Sequence, residues 1–205
     1  MGARYEETNV YASTLIRWSG LVAVAAGGVL MVVELMELFA VDIEHLRAAS
    51  DTVAFAFWAG LSLLTFLLLP LGLIGIYSHQ LEAAGILGLA GFLVAFLGTV
   101  LSAGAAWTLF FIAPTVAPLV PTFVEIPWFE LAFLLFALGW LLFGVATLRA
   151  RVFPRAAAVL LIIGAVLIAV PLPARALVLG VALAWLGFVL FAGGATQPSQ
   201  PERVR

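Results

Sequence analysis

The sequence contains no cysteine and no lysine, and only two of its 205 residues are histidines. The absence of cysteine excludes disulfides, thiolate metal sites, iron–sulfur clusters and cysteine nucleophiles. The absence of lysine excludes a Schiff base to retinal or pyridoxal. His45 and His79 both fall near predicted helix ends, where they do not supply the paired axial ligands of a membrane cytochrome b. No nucleotide loop or nucleophile elbow is present either, so we expect no cofactor and no metal site, and we assign no catalytic residue.

Charged residues are scarce as well. They make up 10% of the chain, whereas soluble domains carry about 25%. Hydrophobic residues make up 65%, and the mean hydropathy is +1.22. A chain of this composition has too few polar residues to cover its surface, so its outer surface must face lipid, and the bilayer is its first expected partner. The net charge of −2 and the lack of a basic run argue against nucleic acid as a partner.

Apolar stretches long enough to cross a bilayer fill most of the chain, because a spanning helix needs about 20 such residues. Lipid offers no partner to open backbone groups, and the alternating strands of a barrel are missing, so each stretch is predicted to be a helix. The sequence therefore predicts an all-α, polytopic bundle of six transmembrane helices. Their expected bounds are about Thr14–Phe39, Thr52–Tyr77, Ala84–Ala113, Trp128–Leu148, Ala156–Val170 and Ala176–Ala192, within a membrane domain at 14–194.

The arginines predict the orientation of this bundle. With the N-terminus inside, seven of the nine arginines fall on the cytoplasmic side and only Arg47 and Arg175 fall outside. We therefore expect a multi-pass protein of the cell membrane with both termini in the cytoplasm: residues 1–13 as an N-terminal segment and 195–205 as a disordered tail. Three of the inner arginines form a group with two open interpretations, contact with anionic lipid headgroups or simply the setting of topology: Arg149, Arg151 and Arg155.

Three glutamates are the candidate binding residues. Glu34 and Glu37 are three positions apart, hence on one face of the first helix. Glu34 lies about 11 Å from the midpoint of that helix, inside a hydrocarbon half-thickness of about 15 Å. A carboxyl group at that depth must face the bundle interior or water, or be protonated. One interpretation is a cation or proton site completed by Glu130; the other is that the side chains reach the headgroups or pair with Arg47 or Arg175.

Other features leave similar alternatives open. Trp58, Trp140 and Trp185 lie inside predicted spans, where they either line an apolar cavity or fill the core. Small residues at four-residue spacing predict close helix packing, at Ser19, Ala23 and Gly27 and again at Gly98, Ser102 and Ala106. The proline-rich segment from Ala113 to Trp128 is expected either to cover a central cavity or to hold two helices apart.

Three functions fit these residues. The first is a small permease with an acidic outward mouth, in which Glu34, Glu37 and Glu130 bind a small cationic or hydrophobic substrate. The second is an accessory or assembly subunit that binds a membrane-protein partner. The third is a membrane enzyme that acts on a lipid or isoprenoid through buried carboxylic acids, with Glu34 and Glu130 as the pair.

Overall fold

The computed structural model describes residues 2–41, 50–116, 127–170, 172 and 174–193, and every secondary-structure element within them is helical. This confirms the all-α prediction. The predicted tail at 195–205 and the proline-rich positions 117–126 lie outside the described residues. The elements are α1 (Gly2–Phe39), α2 (Val53–Trp107), a π-helical turn (Thr108–Ile112), α3 (Ala113–Val116), α4 (Pro127–Ala150), α5 (Arg155–Ile168) and α6 (Leu177–Gly193).

Three stretches of the described residues are long and apolar enough to cross a membrane: Arg17–Phe39, Val53–Val116 and Leu131–Ala150. Two shorter apolar helices, α5 and α6, have 14 and 17 residues. Large apolar side chains also cover the outside of the fold, for example Leu67, Leu71 and Leu64 on α2. Soluble monomers rarely expose apolar surface on this scale, whereas lipid accommodates it. Composition and structure thus agree on a membrane-associated helical bundle.

Helix α2 is folded back on itself at Gly85. The rings of Tyr77 and Phe92 stack with their centroids 4.4 Å apart, although 15 residues of straight helix would separate them by about 22 Å. A Cβ atom built at Gly60 would lie 3.2 Å from the ring of Phe110, fifty positions further on. The two halves, α2a (53–84) and α2b (86–107), therefore run antiparallel as a hairpin.

The hairpin turn depends on the backbone of Gly85, which has φ +57° and ψ −155°. A side chain is strained in that region, whereas glycine enters it freely. The sequence predicts a polar link at 78–82 instead, and that prediction is wrong: these residues are helical, and the chain turns only at Gly85. Ser78 explains part of the difference, because its hydroxyl donates to the carbonyl oxygen of Ile74 at 2.7 Å and so stays within the helical pattern.

The helices close into a ring in which α1 packs against α2, α2 against α4, α4 against α5, α5 against α6, and α6 against α1. Glycines bring α1 and α6 into close antiparallel contact. A Cβ built at Gly27 would lie 2.5 Å from the carbonyl oxygen of Gly180, and one built at Gly20 would lie 2.8 Å from that of Gly187. The small-residue face predicted for α1 is thus used for packing, since Ala23 also meets Gly72 of α2a.

Aromatic side chains fill the core between α2 and α4. Phe136, Trp140 and Phe143 share one face of α4 because they are four and three positions apart. Their rings follow one another at 6.0 Å, and Phe66 of α2a meets Phe136 edge-on at 5.6 Å. Trp140 is completely buried in this cluster. For this tryptophan the core-filling interpretation is therefore the correct one.

The fifth helix is shorter than a bilayer-spanning segment of standard length. The predicted span Ala156–Val170 would reach standard length only if Val152 and Phe153 joined it, but these two residues lie in the connection before Pro154, and α5 begins at Arg155. Arg151 opens this connection with φ 56°, which ends α4, and Phe153 is buried against the core cluster. At the other end of the chain, residues 2–13 continue α1 as helix and do not form a separate element.

Candidate functional site

A cavity of about 740 Å³ lies at one end of the ring, where α1 and α5 end and α4 and α6 begin. Pockets that bind small molecules commonly measure about 300–1,000 Å³. Most of the lining is apolar, from residues such as Leu30, Phe66 and Phe136. Among the lining residues that the structure describes, six carry polar groups: Glu34, Glu37, Trp58, Ser62, Ser102 and Arg175.

Glu34 projects from α1 across the ring to the start of α6. Its side chain is only 6% exposed, and its Oε2 accepts a hydrogen bond of 3.0 Å from the backbone N–H of Ala176. The carbonyl of Ala176 accepts from Gly180 N at 2.9 Å, so the first turn of α6 begins at Ala176. Amide groups in the first turn of a helix have no hydrogen-bond partner within that helix. The positive end of the helix dipole favours an anionic partner for them. Glu34 therefore caps α6 from another helix.

The turn that presents this amide is strained. Ala174 has φ 54°, in the left-handed region, where a residue with a Cβ atom pays roughly 1–2 kcal/mol. The carbonyl of Ala174 accepts from Leu177 N at 3.1 Å, which fixes the turn. Such strain persists where surrounding contacts impose it, and it is concentrated at binding sites. Here it directs Ala176 N–H at Glu34 and places Arg175 on the cavity wall.

Arg175 is the cation of this site. Its guanidinium carbon lies 5.6 Å from the centre of the Phe133 ring, in cation–π geometry. Burial is the largest influence on the Glu34 and Glu37 carboxyl groups and disfavours their charged forms, while the charge of Arg175 favours them. The described part of the cavity wall therefore holds two acidic groups and one basic group. On this described wall the acidic groups therefore outnumber the basic groups by one.

The opposite wall, formed by the two halves of α2, carries polar atoms without partners. Trp58 Nε1 and Ser102 Oγ are buried and make no hydrogen bond. Their side chains are 7% and 0% exposed. Ser62 differs, because its hydroxyl donates to the carbonyl of Trp58 at 2.8 Å. An unpaired buried polar group costs about 1–3 kcal/mol, so two of them on residues that line one cavity call for an explanation.

The structure brings some of the predicted binding residues together and leaves others apart or undescribed. Glu34 and Glu37 share the cavity. Glu130 lies in the first turn of α4, directly before the lining residues Leu131 and Phe133, but only its backbone is described. Its part in the site remains a prediction. The suggested partner Arg47 lies outside the described residues, whereas Arg175 is present.

The predicted arginine group lies at the far end of the ring. Arg149, Arg151 and Arg155 surround the connection between α4 and α5, and all three are exposed. None of them lines the cavity. Exposure suits both interpretations that the sequence left open, so contact with lipid headgroups stays a prediction.

Sequence reasoning missed Ser102 and the Ala176 amide. Ser102 was assigned to the small-residue face of α2b, but it lines the cavity together with Ala106. Among the three tryptophans inside spans, Trp58 lines the cavity and Trp185 is 39% exposed on the outer surface of α6. A polar residue in a small-residue stripe was the available signal for Ser102. A backbone amide gives no signal in a sequence.

Within the described residues, no group of three or more His, Asp or Glu side chains is placed to hold a metal ion. Comparison of the chain with family models, with curated proteins and with solved structures finds no match.

Proposed function

We propose that the chain is a permease-like bundle of the cell membrane that binds a small cationic or hydrophobic substrate in the cavity at Glu34 and Glu37. The observation that carries the proposal is the cavity itself: it is large enough for a small molecule and mostly apolar, and its described wall has one more acidic than basic group. A dry, closed bundle would have favoured a purely structural role for these glutamates.

The proposed topology has six spans and cytoplasmic termini. The hairpin at Gly85 divides the 64-residue apolar run into two helices, and α1, α4, α5 and α6 supply the other four. Six crossings return the chain to its starting side, in agreement with the arginine distribution. The cavity then opens toward the outside, and the Arg149–Arg155 connection faces the cytoplasm, where its charges suit anionic headgroups.

The natural absence of cysteine makes this topology directly testable. Asp51 and Glu82 are exposed at opposite ends of α2a, so each is replaced by cysteine in a separate variant. In intact cells, Asp51→Cys should react with a membrane-impermeant methanethiosulfonate, and Glu82→Cys should react only after the membrane is permeabilised. The reverse pattern would contradict the orientation, and reaction of both from outside would contradict the hairpin as two spans.

Access to the cavity is tested in the same way. Ala106 lines the cavity, whereas Ala95 on the same helix is fully buried in the core and does not. We expect Ala106→Cys to react with the cationic trimethylammonioethyl reagent from outside and Ala95→Cys to remain unreactive. An unreactive Ala106→Cys in a folded protein would remove the basis of a substrate site.

Transport is measured with proteoliposomes and tetrapropylammonium, a permanent cation that crosses bare bilayers poorly. The purified chain should increase its uptake, and Glu34→Gln should abolish the increase. One observation favours a second candidate, an accessory subunit: Glu34 caps α6, which is a structural task. Normal behaviour of Glu34→Gln in every assay would leave this accessory role as the better proposal. The enzyme hypothesis gains no specific support from the described residues.

A further inference from the structure

The polar groups of the cavity are divided between its two walls. The α1 and α6 side provides Glu34, Glu37 and Arg175, and the α2 side provides Trp58 Nε1 and Ser102 Oγ. The first set carries one acidic group in excess, and the second set has unused hydrogen-bonding capacity. A molecule that satisfies both walls must have two different polar features.

The unpaired atoms define the second feature. An indole N–H is a donor only, so Trp58 requires an acceptor on the ligand. Ser102 also has a hydroxyl proton to donate, since no carbonyl oxygen in the described structure receives it. By contrast, Thr99 on the same helix donates to the carbonyl of Ala95 at 2.6 Å, as helix hydroxyls commonly do in an apolar surrounding. Ser102 is therefore a buried, unpaired donor on a residue that lines the cavity.

The rest of the lining defines the body of the ligand. Phe66, Phe136 and Leu30 present hydrocarbon and aromatic surface between the two polar walls. Aromatic faces also attract organic cations, with the strongest effect when water is excluded. A compact inorganic cation would leave this surface empty and would not reach the donors of α2.

We infer that the cavity selects amphipathic organic cations that carry a hydrogen-bond acceptor. The cationic group lies toward Glu37 and Glu34, the acceptor receives hydrogen bonds from Trp58 Nε1 and Ser102 Oγ, and the hydrocarbon part packs against the phenylalanines. This inference rests on the proposed function, since it names the substrate class of the same site. It explains why two buried polar atoms are retained without hydrogen-bond partners within the described protein.

Three matched probes separate the features. Decanoylcholine has the cation, the ester acceptor and a tail; dodecyltrimethylammonium has the cation and a tail without the acceptor; the decanoate ester of 3,3-dimethylbutanol keeps the acceptor but lacks the charge. Binding is measured as protection of Ala106→Cys from the impermeant cationic thiol reagent. The labelling rate of the exposed Asp51→Cys serves as the reference, because non-specific effects of the probes would change both rates.

We expect decanoylcholine to protect at concentrations about 2- to 150-fold lower than dodecyltrimethylammonium, the range that corresponds to one or two net hydrogen bonds. The neutral ester should protect least. Equal protection by all three probes, or the best protection by the neutral ester, would overturn the inference. If Ala106→Cys reacts but no probe protects it, the substrate class is wrong while an accessible cavity remains. If it does not react at all, the proposed function fails first.

Substitution of the unpaired donors gives a second, independent test. Because Ser102 has no hydrogen-bond partner, Ser102→Ala removes a buried unsatisfied group and should leave thermal stability equal or higher. The same variant, and Trp58→Phe, should bring protection by decanoylcholine down to that of dodecyltrimethylammonium. A residue with a structural role would show the opposite, with lower stability and unchanged selectivity.

Thr99→Val is the matched control, because it removes a satisfied hydroxyl three residues away that does not line the cavity. It should lower the unfolding temperature and leave the order of the three probes unchanged. If Ser102→Ala also lowers the unfolding temperature and leaves the order of the three probes unchanged, the α2 wall does not contact the ligand's acceptor and the inference is overturned.

Discussion

Glu34 Oε2 and the backbone nitrogen of Ala176 are joined by a 3.0 Å hydrogen bond although the two residues are 142 positions apart. The bond connects the end of α1 with the start of α6 and forms part of the cavity wall. Structural and binding roles therefore meet in one carboxyl group. Substitutions at Glu34 separate these roles if they are chosen for what they retain.

Glu34→Gln keeps an acceptor oxygen for Ala176 N–H but removes the charge. We expect it to fold with nearly normal thermal stability and to lose cation uptake. Glu34→Leu removes the acceptor as well, which leaves a buried amide unsatisfied and should cost about 1–3 kcal/mol of stability. Unfolding temperatures of the two variants in detergent measure the difference. Equal stability of Gln and Leu variants would mean that the cap contributes nothing.

Gly27→Ala should destabilise the bundle, because its new Cβ would lie 2.5 Å from the carbonyl oxygen of Gly180 and would force α1 away from α6. Overpacking of this kind typically costs about 1–3 kcal/mol. The neighbouring Gly28→Ala is the control, since nothing lies within 4 Å of its built Cβ. In a helix it should be neutral or stabilising by up to about 1 kcal/mol. Thermal unfolding of both variants measures this difference in stability. No difference would mean that α1 and α6 are loosely packed at Gly27.

Gly85→Ala tests the hairpin turn. No atom lies within 4 Å of a Cβ built there, so any loss comes from backbone conformation alone and should be roughly 1–3 kcal/mol. Gly104→Ala also meets open space, but Gly104 lies within the regular part of α2b, so that variant should not destabilise. Two cysteines at Tyr77 and Phe92, cross-linked by a short reagent, report whether α2a and α2b stay side by side. Efficient cross-linking with unchanged stability of Gly85→Ala would refute the role of the turn.

Gln80 forms a buried polar pair away from the cavity. Its Nε2 donates to Thr147 Oγ1 at 3.0 Å, and that hydroxyl donates in turn to the carbonyl of Phe143. Gln80 Oε1 has no partner. Gln80→Met therefore exchanges one hydrogen bond for the removal of one unsatisfied acceptor, and we expect a change of stability below about 1 kcal/mol. A much larger loss on thermal unfolding would show that the amide oxygen is satisfied by bound water.

The sequence predicts helix positions well where the length of an apolar stretch sets the ends of the helix. The ends of α1 and α4 fall within two residues of the predicted bounds, at Phe39 and Ala150. The prediction is wrong between α2a and α2b. The polar residues Ser78 and Gln80 predict a link there, but both find hydrogen-bond partners within helices. The decisive residue was Gly85, one of 19 glycines, and its positive φ follows from the hairpin contacts rather than from its neighbours in sequence.

The candidate site was predictable only in part, for a physical reason. The depth and spacing of Glu34 and Glu37 follow from helix geometry, so the sequence predicts the wall of the cavity that carries these two residues. The other wall depends on which helices meet. Ser102 becomes a cavity residue only because α2b faces α1 and α4 across the ring, and the Ala176 amide acts through a turn that Ala174 holds in a strained conformation. Neither property belongs to a single segment.

The closed order of the helices has a consequence for biosynthesis. Helix α1 packs against α6, and Glu34 accepts a hydrogen bond from an amide 142 positions further along the chain. During translation the Glu34 carboxyl group therefore lacks this donor until residue 176 has emerged from the ribosome. Products terminated before α6 would leave Gly20 and Gly27 of α1 without the helix against which they pack.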